Sequence, residues 1–450
     1  MPLYEAIRTY HDLLTDSLAE VSQELLDEQL QQRGLYFGDR PLCTVLRPRF
    51  LMPAQYRFLQ NRIKILMRAF DRAYRRAIVD KPFRDQFGLL DWEEELIQVD
   101  PGFRYAAPLS RLDAFFLTDT EELRFTEYNA EVPAAPAYND VLSEAFFVLP
   151  IMRKFARHYE LRPLPVRHSV LHTLWEVYYH WGGRRDVPRL AIMDWREVPT
   201  YSEFLLFQDY FQRQGKECII VDPREVEYRD GRLMAGDYHI TLIYKRVLID
   251  ELVRKMGMNN PVIQAVRDGA VCMVNPFRCK ILYKKASLAV LSDERNAHLF
   301  NKQEREAIEA HIPWTRWVTE RHSTFHGQPI DLLPFIIKYR ERLVLKPNDD
   351  YGGRGIVLGW QVSESEWANA VQKARELPYV VQERILLPTE PYPSMVNGKL
   401  QITDRMLDTA PYVFYGSFVD GCLTRLATQD LLNVTAGGGS TVPTFVVDKR

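Results

Sequence analysis

The residues best suited to chemistry in this 450-residue chain are acids set among aromatic side chains. Two neighbouring segments, SRLDAFFL (110–117) and RFTEYNAEVP (124–133), run apolar or alternate over short lengths, which predicts two strands. If these strands pair antiparallel, Asp113 and Glu127 lie side by side, and Asn129 shares the face of Glu127. Two carboxylates and an amide oxygen are hard ligands suited to Mg²⁺. A charged surface hairpin is the alternative, but the aromatic neighbours favour burial, and buried acids need a partner or a metal.

A glycine-rich segment, LVLKPNDDYGGRGIVLGW (343–360), predicts a strand that ends at Lys346, a turn, and a second strand. The turn contains Gly352, Gly353 and Gly355. Without a Cβ, glycine lets backbone N–H groups approach an anion closely, and the lysine supplies a compact cation for phosphate. The pattern indicates a phosphate-binding loop different from the P-loop, whose GxxxxGKS/T motif is absent from the sequence, as is GxGxxG. A plain hairpin with a glycine-rich turn is the alternative.

The segment YVVQERI (379–385) is a third strand-like run, and it ends in polar residues. There Gln382 and Glu383 could present hydrogen-bonding groups to the edge of an adenine ring. An ordinary polar strand end explains the same residues, so this segment is informative only in combination with the others.

The elements that must position these residues change along the chain. Apolar spacings of three and four predict amphipathic helices across residues 1–98, and residues 142–182 again read as helix. Four short apolar runs, with the helical segment EFLLFQDYFQRQGK between the first two, predict a small parallel α/β unit. These runs are PRLAIMDW (188–195), ECIIVDP (217–223), HITLIYKR (239–246) and VCMVNP (271–276). The last third predicts a mixed α+β region with a helix near 364–376.

Composition limits the class of protein. The chain is 46% hydrophobic and 26% charged with a formal net charge of -2, as in ordinary globular proteins. Nucleic-acid-binding proteins usually carry a basic excess, so no nucleic-acid partner is expected. Acids occur near the N-terminus and the sequence lacks a long apolar run, so we expect no signal peptide and no membrane partner. Five cysteines without a CxxC pair favour a reducing compartment, so the cytoplasm is the expected location.

Taken together and in order, these segments resemble the ATP-grasp superfamily, and within it the glutathionylspermidine synthetases and the circularly permuted ATP-grasp proteins of bacteria. The resemblance extends from about residue 35 to the end of the sequence. The motifs that carry it are Arg111-Leu-Asp113, Glu127-Tyr-Asn129 with Ala-Glu-Val-Pro after it, Asn275-Pro276 ahead of Lys285, Leu345-Lys346-Pro347, Tyr379–Glu383, GCLTRLA (421–427) and AGGGS (436–440). The metal pair precedes the lysines by more than a hundred residues, as a circular permutation of the same site would give.

The resemblance implies a fold that combines α/β and α+β parts, a circularly permuted ATP-grasp fold. Residues 1–100 would form a helical N-terminal region and 101–165 the metal-binding part of the permuted domain. An inserted α/β unit similar to the pre-ATP-grasp domain would occupy 166–275, and the nucleotide-binding part 276–450.

A role for each matching residue is implied in the same way. The implied Mg²⁺ ligands are Asp113, Glu127 and Asn129. The ATP phosphates would contact Lys285 and Lys346, with Gly352, Gly353 and Gly355 closing over them, and adenine would contact Gln382 and Glu383. The reacting acyl centre would be stabilised by Arg111 and Arg425. Whether Lys284 or Lys285 contacts ATP stays open, with Lys285 preferred, and so does the role of Asp404-Arg405.

The activity that the resemblance implies is an ATP- and Mg²⁺-dependent carbon–nitrogen ligase, which joins a small-molecule carboxylate to an amine through an acyl phosphate. A peptide is an alternative acceptor. Two other readings stay open: a different ATP-grasp chemistry, such as phosphorylation of a small molecule or modification of a peptide, and a nucleotide-binding protein without turnover.

Overall fold

The computed structural model describes residues 2–182, 186–349, 353–428 and 439–450. Its first hundred residues are mainly helical, as the apolar spacing predicts. The elements there are α1 (Pro2–Leu13), α2 (Asp16–Gln32), β1 (Tyr36–Phe37), β2 (Arg40–Pro41), β3 (Arg49–Leu51), α3 (Pro53–Val79), α4 (Lys81–Arg84), a 3₁₀ turn (Asp85–Phe87) and α5 (Asp91–Leu96). The long helix α3 buries Leu59, Ile63, Leu66 and Phe70, whose spacing places them on one face.

The predicted hairpin follows and is confirmed. Its strands are β4 (Leu109–Leu117) and β5 (Glu122–Asn129), and helices α6 (Pro136–Phe147) and α7 (Pro150–Phe155), strand β6 (Tyr159–Pro163) and helix α8 (Arg167–His180) come next. Strand β6 corrects the helical prediction for 142–182. It forms because its backbone pairs antiparallel with a strand near residue 445, a partner that local sequence does not reveal.

The small parallel α/β unit is also confirmed. Its elements are β7 (Leu190–Met193), α9 (Tyr201–Arg213), β8 (Cys218–Val221), a 3₁₀ turn (Pro223–Glu225), β9 (Glu227–Arg229), β10 (Arg232–Ala235), β11 (Tyr238–Ile240), β12 (Leu242–Lys245), α10 (Ile249–Met256), α11 (Pro261–Arg267) and β13 (Cys272–Val274). The order β13-β12-β7-β8 is parallel throughout. Strands β9, β10 and β11 form a separate antiparallel sheet that the sequence analysis did not predict.

The remaining elements give the predicted mixed α+β region. They are α12 (Cys279–Tyr283), α13 (Ala286–Ser292), a 3₁₀ helix (Glu294–Leu299), α14 (Lys302–His311), β14 (Thr315–Trp317), β15 (His322–Phe325), β16 (Gln328–Asp331), α15 (Leu332–Lys338), a 3₁₀ turn (Arg340–Arg342), β17 (Leu343–Pro347), β18 (Val357–Leu358), α16 (Glu364–Glu376), β19 (Tyr379–Glu383), β20 (Thr389–Val396), β21 (Lys399–Leu407), β22 (Ala410–Phe414), β23 (Phe418–Ala427) and β24 (Ser440–Lys449). The glycine segment lies between the antiparallel strands β17 and β18, as predicted.

Two of the sheets matter for the site. One has the order β14-β19-β17-β18, with α16 packed on it through the buried Trp367. The other has the order β20-β21-β23-β22-β4-β5, and β24 extends it from β23 to β3 and β6. The hairpin β4–β5 therefore shares a sheet with strands from the far end of the chain: β4 pairs with β22, where Arg111 lies opposite Tyr412. In the part of the chain described, no helix is both long and apolar enough to cross a membrane.

Candidate active site

A cleft between the hairpin β4–β5 and the sheet that contains β17 and β19 collects most of the predicted residues. Hairpin residues on one side and strand-end residues on the other line this cleft, together with two residues from the C-terminal strands. Its polar lining is Asp113, Thr126, Glu127, Lys346, Gln382, Glu383, Arg384, Asp408 and Arg425, and apolar side chains such as Ile356, Leu358, Ile385 and Leu387 complete it.

Asp113 is held by two arginines at the floor of the cleft. Arg111 donates to its Oδ1 and Oδ2 at 2.7 and 3.0 Å, and Arg425 donates to Oδ2 at 2.6 Å. Burial alone would raise the pKa of Asp113, but Arg111 and Arg425 outweigh it and lower that pKa to about 2. The carboxylate is therefore ionised, and both of its oxygens are engaged by guanidinium groups.

Asp408 is a member of this group that the sequence analysis did not single out. It accepts from Arg425 Nε at 2.6 Å, so Arg425 lies between Asp113 and Asp408. Burial raises the pKa of Asp408, and repulsion from Asp113 adds to the shift although Arg425 opposes it. Asp404 and Arg405 lie on the neighbouring strand β21 and do not line the cleft.

Glu127 and Asn129 are on the adjacent strand, and the register places them opposite Asp113 and Arg111. Glu127 lies 3.1 Å from Lys285 Nζ. Its neighbour Lys284 points elsewhere: it lies 2.7 Å from Glu93 and also pairs with Asp349, and it is 1% exposed. Of the two adjacent lysines, Lys285 is thus the one directed to the hairpin.

Lys346 reaches the cleft from the end of β17. Its Nζ donates to Gln382 Oε1 at 2.7 Å. Burial lowers the pKa of Lys346 to about 8, with repulsion from Lys285 adding to the shift and Glu127 opposing it. Gln382 donates in turn to Thr315 Oγ1 at 3.0 Å, so both ends of its amide are used within the protein. The Gln382 side chain therefore orients Lys346 here, whereas the resemblance implies that it contacts adenine.

Glu383 and the glycines belong to opposite ends of β17: Glu383 pairs with Leu343 at its start, and the glycines follow Pro347 at its end. Glu383 lines the cleft and lies 2.9 Å from His326 Nε2. Gly353 also lines it, and Gly355 has a φ of +69°, where a Cβ would lie only 2.8 Å from the Tyr379 hydroxyl. A side chain at Gly355 would therefore be strained and crowded. Gly352 lies outside the described residues, as does most of the AGGGS segment (436–440).

The donor set at the hairpin has the chemistry that Mg²⁺ prefers. Glu127 and Asn129 offer a carboxylate and an amide to a cavity beside the cleft, which shares Glu127 with it. Asp113, the third ligand that the resemblance implies, has both carboxylate oxygens bound by Arg111 and Arg425. Among the described residues no group of three or more His, Cys, Asp or Glu side chains is arranged to hold a metal, so the amide of Asn129 is needed to complete a site here.

Comparisons with known proteins bear on the fold. No protein-family model matches the chain. An uncharacterized protein of Synechocystis sp. is 23% identical over 264 residues, which cover 54% of this chain and 51% of that protein. An uncharacterized protein of Mycobacterium tuberculosis is 35% identical over 107 residues, 22% of this chain and 19% of that protein. The chain therefore spans about half or less of the length of these relatives.

A solved structure matches over almost the whole length. It is a glutathione synthetase-like effector from Globodera pallida in its apo form, with a TM-score of 0.61, 12% sequence identity, and coverage of 97% of this chain and 99% of that one. At this identity the likeness concerns the fold alone. The chain has a mixed α/β fold similar to that of a glutathione synthetase-like protein.

Proposed function

We propose that the protein is an ATP- and Mg²⁺-dependent ligase of the circularly permuted ATP-grasp type, which forms an amide from a carboxylate and an amine. The observation that carries the proposal is the convergence of cations from three separate segments on one carboxylate hairpin. Lys285 contacts Glu127, Arg425 contacts Asp113, and Lys346 lines the cleft that these acids share. A surface hairpin without a function would not require cations from three separate segments beside its acids.

Phosphate binding is assigned to Lys285 and Lys346, which reach the hairpin from separate segments of the chain. Both cations are largely removed from water, so their interaction with phosphate is stronger than it would be at the surface. Adenine would lie toward Ile356, Leu358 and Glu383, where apolar side chains and one carboxylate line the cleft. Backbone N–H groups at Gly353 and Gly355 would donate to the phosphates, and the residues that carry them would shield the reacting group from water.

Mg²⁺, when bound by Glu127 and Asn129, supplies charge neutralisation for the transferring phosphoryl group. The carboxylate oxygen of the substrate attacks the γ-phosphorus, and ADP leaves with the electron pair of the broken P–O bond. The amine then attacks the acyl carbon, phosphate leaves, and the amine proton passes to solvent. Arg111 and Arg425, which both donate to Asp113, would stabilise the oxyanion that develops at the acyl carbon.

The test is Mg²⁺-dependent release of ADP by the purified protein, screened against pools of carboxylates and amines, with peptides included. Release that needs both an acid and an amine, and that is lost in Glu127→Gln, is the expected result. Glu122→Gln is a matched control on the same strand, because Glu122 pairs with Arg124 outside the cleft. ADP release that needs no amine would show a kinase in place of a ligase. ATP binding without turnover in every pool would overturn the proposal that the protein is an enzyme.

A further inference from the structure

A second cavity adjoins the cleft along the same face of the hairpin, the face that carries Arg111, Asp113, Glu127 and Asn129. It has a volume of about 350 Å³ and shares Asp113, Glu127 and Arg425 with the cleft. The residues at which acyl transfer is proposed therefore stand at the boundary between the two spaces. Since ATP is assigned to the cleft, the second cavity is the space left for the substrate that receives the phosphoryl group.

The wall opposite the hairpin is the carboxyl edge of the parallel sheet. Asp194 directly follows β7, and Arg246 directly follows β12, and both line the cavity. Ligands of open parallel α/β sheets bind at this edge, beyond the carboxyl ends of the strands. The position of the cavity thus agrees with a ligand site on general grounds of topology.

Asp194 is a buried carboxylate that faces this space. It is 8% exposed, and its Oδ1 accepts from the backbone N–H of Trp195 at 2.8 Å. Among the described residues, no donor reaches its Oδ2. The indole Nε1 of Trp195 donates to Glu251 Oε2 at 2.8 Å, so one tryptophan orients two carboxylates toward the cavity.

The cation at this end is already neutralised. Arg246 donates to the buried Glu203 at 2.9 Å. Asp194 and Glu251 are the acidic residues that line this end, whereas the hairpin end presents Arg111 and Arg425 beside the carboxylates of Asp113 and Glu127. The walls between the two ends are mostly apolar, and include Leu42, Val132, Ala134, Ala135, Val198 and Leu248.

We propose that Asp194, supported by Glu251, binds an ammonium group, so that the carboxylate substrate is a zwitterion such as an amino acid. Its carboxylate lies at Arg111 and Arg425, its ammonium lies at Asp194, and its methylene chain crosses the apolar walls. The assignment of the carboxylate end rests on the proposed ligase function. Burial raises the pKa of Asp194 to about 6, and a bound ammonium would hold the carboxylate ionised.

The experiment compares pairs of small acids that differ only in an ammonium group. The three pairs are β-alanine with propionate, γ-aminobutyrate with butyrate, and ε-aminocaproate with caproate. Binding of each compound to the whole protein is measured by calorimetry, with and without a non-hydrolysable ATP analogue and Mg²⁺. At one chain length the amino acid should bind about tenfold or more tightly than its partner, the value of one charge-assisted hydrogen bond. Asp194→Asn should remove this preference.

Matched variants make the outcome specific. Asp250→Asn makes the same change at the exposed neighbour of Glu251, outside the cavity, and should keep the preference. If Asp194→Asn does not fold, Glu251→Gln takes its place, with a reduced preference expected. Equal binding of both members of every pair, or a preference that survives both variants, would overturn the ammonium site. ADP release with no preference for the ammonium compounds would reject this site but keep the ligase proposal. A preference for the ammonium compounds without any ADP release would keep this site but reject the ligase proposal.

Discussion

Lys284 and Lys285 are adjacent in the sequence but belong to different environments. Lys284 lies in a buried ion cluster with Glu93 and Asp349, and Lys285 faces Glu127 across the cleft. A buried cation between two carboxylates fixes the backbone at this point, and the fixed backbone determines where the next side chain points. One lysine is thus a structural group that positions the other.

Methionine substitutions should separate these two roles. Lys284→Met leaves Glu93 and Asp349 with Lys280 as their remaining cation, and the free energy of unfolding should fall by about 3 kcal/mol. Lys285→Met should cost less stability, because its partner Glu127 is 30% exposed, but should weaken ATP binding about tenfold or more, the value of a charge-assisted phosphate contact. Denaturant unfolding and ATP calorimetry measure the two effects. The opposite pattern, with ATP affinity lost only in Lys284→Met, would assign the phosphate contact to Lys284.

Lys346 should make nucleotide affinity depend on pH. Its protonated form is the one that attracts phosphate, and burial lowers its pKa to about 8. ATP affinity should therefore be constant below about pH 8 and fall by up to about tenfold per pH unit above it, because binding then requires uptake of a proton. Calorimetric titrations of ATP at a series of pH values test this. The Lys346→Met variant should bind ATP weakly, and its affinity should not fall above pH 8. If the affinity of this variant still falls, another group causes the pH dependence.

The sequence alone identifies part of this site. Asp113, Glu127 and Lys346 are predictable because strand alternation and a glycine turn give each a local context. Asp194 and Asp408 are not, because each joins the site only in the folded chain: Asp194 lines a cavity together with the hairpin, and Asp408 binds Arg425. The orientation of Gln382 is equally a tertiary property, set by Lys346 and Thr315. A position directly after a short buried strand was the one available signal for Asp194.

At the scale of elements, β17 and β18 show how a short hairpin is held in place. Gly359 follows β18, and a Cβ there would lie 2.0 Å from the backbone oxygen of Arg340. Arg340 also donates to the carbonyl of Gly359 at 2.7 Å. The absence of a side chain is thus what allows β18 to pack against the turn before β17.

Gly359→Ala should push these segments apart. The backbone clash cannot be relieved by a rotamer change, so we expect a loss of about 1–3 kcal/mol in the free energy of unfolding and weaker ATP binding. Gly398→Asn is the control, since Gly398 lies in the β20–β21 turn with φ of +73° and open space around it. Asparagine tolerates that conformation. Equal thermal stability of the two variants would contradict the close-packing account.

Strand prediction succeeded where the pairing partner is near in sequence or the run is strongly apolar, as in β4–β5 and the parallel unit. It failed for β6, because the segment is polar on one side and owes its extended form to β24. Pairing over such distances is invisible to local periodicity. The helical prediction for 142–182 therefore holds on either side of β6 but not through it.

At the scale of the whole molecule, one glutamate joins the N-terminal region to the large sheet. Glu390, on β20, lies 2.9 Å from Arg47 and 2.6 Å from Arg49, and both arginines are fully buried. Arg47 also lies over the Tyr392 ring, with 4.0 Å to its centroid. Within the described part of the chain, these two buried guanidinium groups thus share a single carboxylate for charge compensation.

Glu390→Gln should destabilise the entire fold. Buried cations without a counter-charge are costly, and the free energy of unfolding should fall by about 3–5 kcal/mol. Glu144→Gln is a matched control, because Glu144 also bridges two arginines, Arg33 and Arg167, but at the surface, where about 0–1 kcal/mol is expected. Denaturant titration of both variants gives the comparison. Similar losses in the two would show that burial does not govern the value of these ion pairs.

The position of β24 has a consequence for biosynthesis. This strand, the last in chain order, pairs parallel with β3 and antiparallel with β6, and Phe445 contacts Phe147. The N-terminal core that contains Phe50 and Phe155 therefore stays open while the ribosome makes everything in between. Arg49 and Thr444 are partners, and a separation of roughly 400 residues corresponds to roughly 20–80 s of translation at about 5–20 residues per second. During that interval the nascent chain exposes aromatic side chains that a chaperone such as a ribosome-bound holdase would recognise.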